Sequence, residues 1–518
     1  TFAKLTPTEG VILWFAKIIC SINQPTEVCA GITEQFRDEF FYVFRRLANE
    51  PSKICAALIP GCVDPLDPTG EGWNIKLPPL PLSSPSSPPS SPSSSTPPNV
   101  LRVLSITDLH VDFHYEPGSE AECADPVCCR GATSRNKRNS VPAGFWGTVG
   151  KCDIPYRTLN HMLKHISQND HVDYIMVGGD IIDHYDWKYN WNGTLEVLRN
   201  VSGLFKLHFP TTPVYWALGN HEGVPVNSFA PHSVNEQFWP VKLYNELTEM
   251  NKPWVKNEDG DDSSRFRGSW STLAAERLRI ISINTGFCIN TNFFLYLNQS
   301  DPDGTMSWFV EQLHKAELAG ENVHILAHIP PGYYDCLEGW SRNYYRIIQR
   351  FSSIITGQFF GHVHYDYFTL FYEDMFDVTS EPVGVAYISP SASTFDYLNP
   401  GYRIYTIDAE NTYKIIDHDN YFADLDVADE DTEPEWKLLY SARKEYNMTD
   451  LSPKSWNTVA DDIINNATVT DRFFQLAYRT QSPRCDATCR QYQLCLLRSG
   501  HHDDGAYCPS NRLETNRV

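Results

Sequence analysis

"GQFFGHVHYD" occupies residues 357–366. An apolar run, a glycine and two histidines one residue apart read as a strand that ends at a site. In extended backbone, residues i and i+2 point to one side, so His362 and His364 aim at a common point. Alone, the pair fits half-buried histidines satisfied by their neighbours as well as it fits a metal site. The choice rests on how the other strands end.

They end alike. "VLRVLSI" leads to "TDLH" with Asp108 and His110, and "VDYIMV" leads to "GGD" with Asp180. "TPVYWAL" leads to "GNHE" with Asn220 and His221, and "NVHILA" runs into His328. "RLRIISIN", "GVAYIS" and "YRIYTI" continue the strand-like series, with helix-like "PYRTLNHMLKHIS" and "TMSWFVEQLHKAEL" interspersed. Such alternation predicts an α/β fold, with a mixed sheet toward the end. In that class the carboxyl ends of strands converge on one crevice. Five polar strand ends exceed what satisfied core polar groups explain. Imidazole, carboxylate and amide oxygen without thiolate suit Zn, Fe or Mn. Seven donors are too many for one four-coordinate ion and suit two ions sharing a carboxylate. Such a pair clamps the attacking and leaving oxygens of a displacement at phosphorus.

A chain of 518 residues suggests two or three domains. Its formal charge of −22 argues against a nucleic-acid partner and suits an acidic compartment, although many neutral-pH proteins are as acidic. Fourteen cysteines include tight clusters such as "CADPVCC" and "CDATCRQYQLC", which read as disulfide staples; the spacing of zinc ribbons is absent. N-x-[ST] sequons stand at Asn192, Asn200, Asn298, Asn447 and Asn466. Together these features place the chain in an oxidising lumen or outside the cell. The most apolar run, "VILWFAKIIC", is about half the roughly 20 residues needed to span a bilayer and contains a lysine. No signal peptide precedes Thr1, which reads as a mature form or a fragment.

Residues 78–98, rich in proline and serine, form a semi-rigid tether. In residues 1–77 before it, Ile32, Phe36, Phe40, Phe44 and Leu47 recur at helical spacing. Such a stripe is usually core, but in so small a module some of it is left for lipid. After the tether, residues 99–434 carry the strand ends described above. From 435 to 518 the pattern turns helical and cysteine-rich.

The ordered set D-x-H, G-D, G-N-H-E, H and G-H-x-H resembles the calcineurin-like metallophosphoesterases. "CADPVCC", "GNHEGVPVNSF", "AHIPPG", "NYYRI" and "LNPGYR" resemble, more closely, the acid sphingomyelinase family. That resemblance implies mixed sheets flanked by helices, an all-α saposin-like domain over 1–77 and a helical subdomain over 435–518. It implies two zinc ions, one on Asp108, His110 and His364, the other on Asn220, His328 and His362, with Asp180 bridging. His221 and His184 match the histidines that protonate the leaving group or hold the phosphate, His221 being the first choice for the proton. The implied disulfides are Cys20–Cys29, Cys123–Cys128, Cys129–Cys152, Cys288–Cys336, Cys485–Cys489 and Cys495–Cys508. Cys55 and Cys62 find no partners because the C-x-x-C of a first saposin helix is missing, so the front domain reads as truncated. Thr291 and Phe395 stand where mammalian relatives carry Glu and Tyr, which bears on choline recognition.

The implied activity is zinc-dependent hydrolysis of sphingomyelin to ceramide and phosphocholine at acidic pH, by two-metal hydroxide attack with a histidine general acid. The implied protein is a lysosomal or secreted monomer that meets the bilayer through its front domain. One rival is a phosphodiesterase for nucleotides or other small diesters. The other is a lipid-binding protein with an inactive hydrolase body.

Overall fold

The computed structural model describes residues 9–48, 72–80, 99–131, 141–256, 262–410, 412–481, 486–502 and 508. Cys55, Cys62, Cys485 and residues 81–98 of the tether lie outside them.

Two six-stranded sheets form the body. In chain order the strands are β1 (Val100–Ile106), β2 (Val111–Asp112), β3 (Ile154–Pro155), β4 (Tyr174–Val177), β5 (Val214–Trp216), β6 (Trp270–Ala275), β7 (Leu278–Ser282), β8 (Asn322–Leu326), β9 (Ile355–Phe360), β10 (Tyr367–Tyr372), β11 (Pro382–Ile388), β12 (Gly401–Asp408), β13 (Ile415–Ala423) and β14 (Trp436–Ser441). One sheet runs β14-β13-β12-β1-β4-β5 and the other β10-β11-β9-β8-β7-β6. In the first, β1, β4 and β5 are parallel. In the second, β7, β8, β9 and β11 are parallel. β12–β14 and the edge strands β6 and β10 pair antiparallel, so both sheets are mixed. Val103, Leu104, Ile106, Ile280, Ile281 and Ile325 are inaccessible to solvent, as continuous apolar runs covered on both faces should be. The parallel strands of both sheets end at one place, and every predicted strand end reaches it.

The region from 435 does not open as a helix. Trp436–Ser441 is β14, the outer strand beside β13. The helices that follow, Pro453–Asn465 among them, continue the body: the Trp456 indole donates to the Tyr387 hydroxyl (3.0 Å) and its ring lies 4.3 Å from that of Phe368.

In the front region, α1 (Glu9–Cys20), α2 (Thr26–Gln35) and α3 (Arg37–Leu47) form a short helical bundle, with Cys20–Cys29 joining the first two. Phe36 interrupts the predicted stripe between α2 and α3, and Phe44 is exposed. The buried side chains of α3 are Glu39, Phe41, Val43 and Leu47. Gly31 lets α2 lie flat on the body, since a Cβ there would sit 2.4 Å from the carbonyl oxygen of Trp187. The stretch before the tether also belongs to the body: Trp73 and Ile75 are buried, and the Ile75 N–H donates to Asn343 Oδ1 (2.8 Å).

The pairs Cys123–Cys128, Cys129–Cys152, Cys288–Cys336 and Cys495–Cys508 are present as expected. Cys489 is disulfide-bonded too. All five sequon asparagines are exposed.

Candidate metal centre

All nine predicted site residues meet at the shared strand ends. Asp108 and His110 follow β1, Asp180 follows β4, and Asn220 and His221 follow β5; His328 follows β8, and His362 and His364 follow β9. His184 sits four residues beyond Asp180. Ligating atoms of Asp108, His110 and His364 lie within 4.8 Å of one another, as do those of Asp180, His328 and His362, and those of His110, His184 and His221.

The hydrogen bonds show what the cluster lacks. His110 Nδ1 donates to the Ile182 carbonyl (2.7 Å) and His328 Nδ1 to that of Gly178 (2.8 Å). In the neutral rings each Nε2 is then a bare lone pair. His328 Nε2 faces Asp180 Oδ2 (3.0 Å) and Asn220 Oδ1 (3.0 Å), both acceptors. His110 Nε2 faces His364 Nε2 (3.1 Å) and, at 3.6 Å, Asp180 Oδ2. Asp108 Oδ2 is buried without a hydrogen-bond partner. Acceptor groups converging in a buried space call for positive charge, supplied by a proton on His328 or by a metal ion. Asp180 Oδ2 lies between the two sets, as a shared ligand must.

Electrostatics agree. Burial opposes charge on His328, but Asp180 overcomes it and lifts the imidazole to about 9. Burial also opposes the Asp180 charge, and His328 and His221 overcome it, holding the carboxyl well below its usual range. Burial lifts Asp108 to about 6, with His328 opposing and Asp180 adding. The site draws in positive charge, and the donors fit a pair of metal ions.

Several supporting residues escaped the sequence reading. Glu222, inside "GNHE", accepts backbone N–H bonds from Gly219 (2.6 Å), Asp180 (3.0 Å) and Ile181 (2.7 Å), tying two ligand loops together. Arg479, from the C-terminal region, donates to the His364 carbonyl (2.9 Å). Asp153 accepts from His184 Nδ1 (2.7 Å) and from its backbone N–H (2.7 Å). Tyr189 donates its hydroxyl hydrogen to the Asp183 carbonyl, so its oxygen accepts from His221 Nδ1 (2.9 Å). Only Glu222 had a signal in the sequence, its place in the motif. Phe395 stacks on His184 with ring centres 3.8 Å apart, whereas Thr291 is exposed.

Residues 101–366 match the family described as calcineurin-like phosphoesterase, and residues 377–510 match the acid sphingomyelin phosphodiesterase C-terminal region. Sphingomyelin phosphodiesterase 1 of Caenorhabditis elegans is 54% identical, over 98% of this chain and 90% of its own length. Sphingomyelin phosphodiesterase 2 of the same organism is 37% identical over 97% and 85%. The sphingomyelin phosphodiesterase of Homo sapiens is 37% identical over 93% and 76%.

Proposed function

The chain belongs to the acid sphingomyelinase family and is a sphingomyelin phosphodiesterase, and we propose that it cleaves sphingomyelin to ceramide and phosphocholine with two zinc ions at acidic pH. The observation that carries the metal reading is the convergence of the bare His110 and His328 nitrogens with Asp180 and Asn220. Asp108, His110 and His364 would hold one ion, Asn220, His328 and His362 the other, with Asp180 available to both. Bound there, zinc supplies Lewis-acid stabilisation of charge on the phosphate oxygens and lowers the pKa of water.

The protein's own groups supply the proton. A departing ceramide alkoxide needs a general acid. His184 and His221 both flank His110, with ring centres 3.8 and 4.9 Å from it. They differ in their partners: a carboxylate on His184 Nδ1 stabilises an imidazolium, whereas the Tyr189 phenol on His221 Nδ1 does not. The sequence favours His221 as donor; the hydrogen bonding favours His184 Nε2, leaving His221 to steady the phosphate. Burial pushes His184 down to about 4 and lifts Asp153 to about 7.

Contact with a bilayer falls to α1, none of whose residues is buried. Trp14, Phe15 and Ile19 are 58%, 54% and 66% exposed. Exposed sequons and the disulfides support a secreted or lysosomal location. The test is hydrolysis of sphingomyelin vesicles across pH 4–8 by chelated and zinc-reloaded protein. Zinc-dependent turnover rising toward acid supports the reading. Cleavage of a nucleotide diester but not of sphingomyelin would favour the small-diester rival.

A further inference from the structure

His362 is bound differently from the other candidate ligands. His110 and His328 spend Nδ1 on backbone carbonyls and present Nε2. His362 instead turns Nδ1 to Asn220 Oδ1 (2.9 Å) and gives Nε2–H to a carboxylate, Asp335 Oδ2, at 2.6 Å. We infer that Asp335 is a positioning residue for the metal held by His362, fixing that ring's tautomer and orientation. The inference rests on the reading of His362 as a ligand.

The loop carrying Asp335 is itself held. Asp335 follows Tyr333 and Tyr334 and precedes Cys336, which is bonded to Cys288. The Asp335 carbonyl accepts from the Asn290 N–H (2.7 Å), and the Leu337 N–H donates to the Cys288 carbonyl (2.7 Å). The stapled loop folds back so that Asp335 meets the outer edge of His362. Asp335 Oδ1 is buried with no hydrogen-bond partner. The carboxylate's bond to His362 is therefore not diluted by a second donor.

Charge balance gives this carboxylate a purpose. The first set of ligands has its own anion, Asp108. The second set, Asn220, His328 and His362, is neutral and shares only Asp180. Asp335 adds a negative charge one hydrogen bond behind that second metal. A carboxylate behind a ligating histidine typically changes metal affinity by about 10–100-fold. The plainer alternative is an ion pair that merely steadies the loop, and it makes a different prediction: lower thermal stability with unchanged metal retention.

The experiment uses the full chain loaded with zinc and the variants Asp335→Asn and Asp335→Ala. Zinc per chain is followed by elemental analysis against increasing chelator, alongside turnover of detergent-dispersed sphingomyelin and thermal melting. We expect one of two zinc ions to be released at about 10–100-fold lower chelator strength, the other to be held as in the parent, and turnover to return with excess zinc. Both ions held as in the parent, with or without a lower melting temperature, overturn the inference. His362→Ala separates the two layers. If it loses the same ion while the Asp335 variants keep both, only the role of Asp335 fails. If it also keeps both ions, the ligand reading of His362 fails and the inference with it.

Discussion

Asp180→Asn should be the most damaging single ligand change. The substitution keeps size and removes one charge from a side chain whose Oδ2 stands 3.0 Å from His328 Nε2 and 3.6 Å from His110 Nε2. A unit charge 3.0 Å away is worth roughly 5 kcal/mol at an effective dielectric constant near 20. Part of that returns because a neutral amide is cheaper to bury. The net loss for breaking a buried charge pair is about 3–5 kcal/mol, or about 10²–10⁴-fold in an equilibrium constant. Because the carboxylate is shared, the loss should fall on both ions. Zinc content should drop to one or none per chain at limiting metal, and sphingomyelin turnover should fall to background. Asp180 Oδ1 also accepts the His221 N–H (2.9 Å), a bond that the Asn carbonyl oxygen can keep, so the fold should survive. The assay is zinc analysis with turnover on the same preparation. Near-normal activity with full metal would show that Asp180 is not shared.

Asp153→Asn should reduce sphingomyelin turnover by about 10²-fold or more while sparing a substrate with a nitrophenolate leaving group, and should flatten the fall in rate toward neutral pH; equal loss on both substrates would return the acid role to His221. Glu39 of α3 is 3% exposed against Ser228, and burial, which the Ser228 hydroxyl partly offsets, raises it to about 7. The stability it contributes is present below its unfolded value near 4.5 and lost as pH rises through about 7, so Glu39→Gln should recover roughly 3 kcal/mol at pH 8 and almost none at pH 4, read by thermal melting. Replacing Trp14, Phe15 and Ile19 of α1 with serine should cut turnover of vesicles and leave detergent-dispersed substrate untouched; equal loss on both would mean that α1 supports the catalytic body.

The clustering of these residues was legible because each follows an apolar run, and an α/β sheet delivers such positions to one crevice whatever the details of packing. The residues behind them were not. Asp335 in "YYDC" reads as an ordinary loop acid until the Cys288–Cys336 loop brings it against His362. Asp153 lies far before His184 in sequence and meets it only through the fold. β14 escaped because "WKLLYS" does not alternate cleanly: Lys437 and Leu438 are both exposed, and the register shifts at Leu439, opposite Asn420 and Tyr421 of its partner strand. A lone outer strand with a bulge has no periodicity to read.

The backbone explains why this site needs both its scaffold and its metal. Asp108, His110, Asp180, His362 and His364 all hold left-handed conformations, with φ of 50°, 40°, 53°, 74° and 66°. Each such residue costs about 1–3 kcal/mol and persists only where its surroundings fix it. Glu222 collects three N–H groups at two of the turns, the Asp108 carboxylate takes the His362 N–H (2.8 Å), and Arg479 holds the carbonyl of His364. These bonds keep acceptor groups pointed at one another, and of them only Asp180 gains a charged partner, His328, without a metal. A cation reverses the sign of that repulsion, so metal binding and the integrity of these turns become one equilibrium. Strain concentrated on two loops of one sheet and one of the other holds these side chains around the shared Asp180 carboxylate.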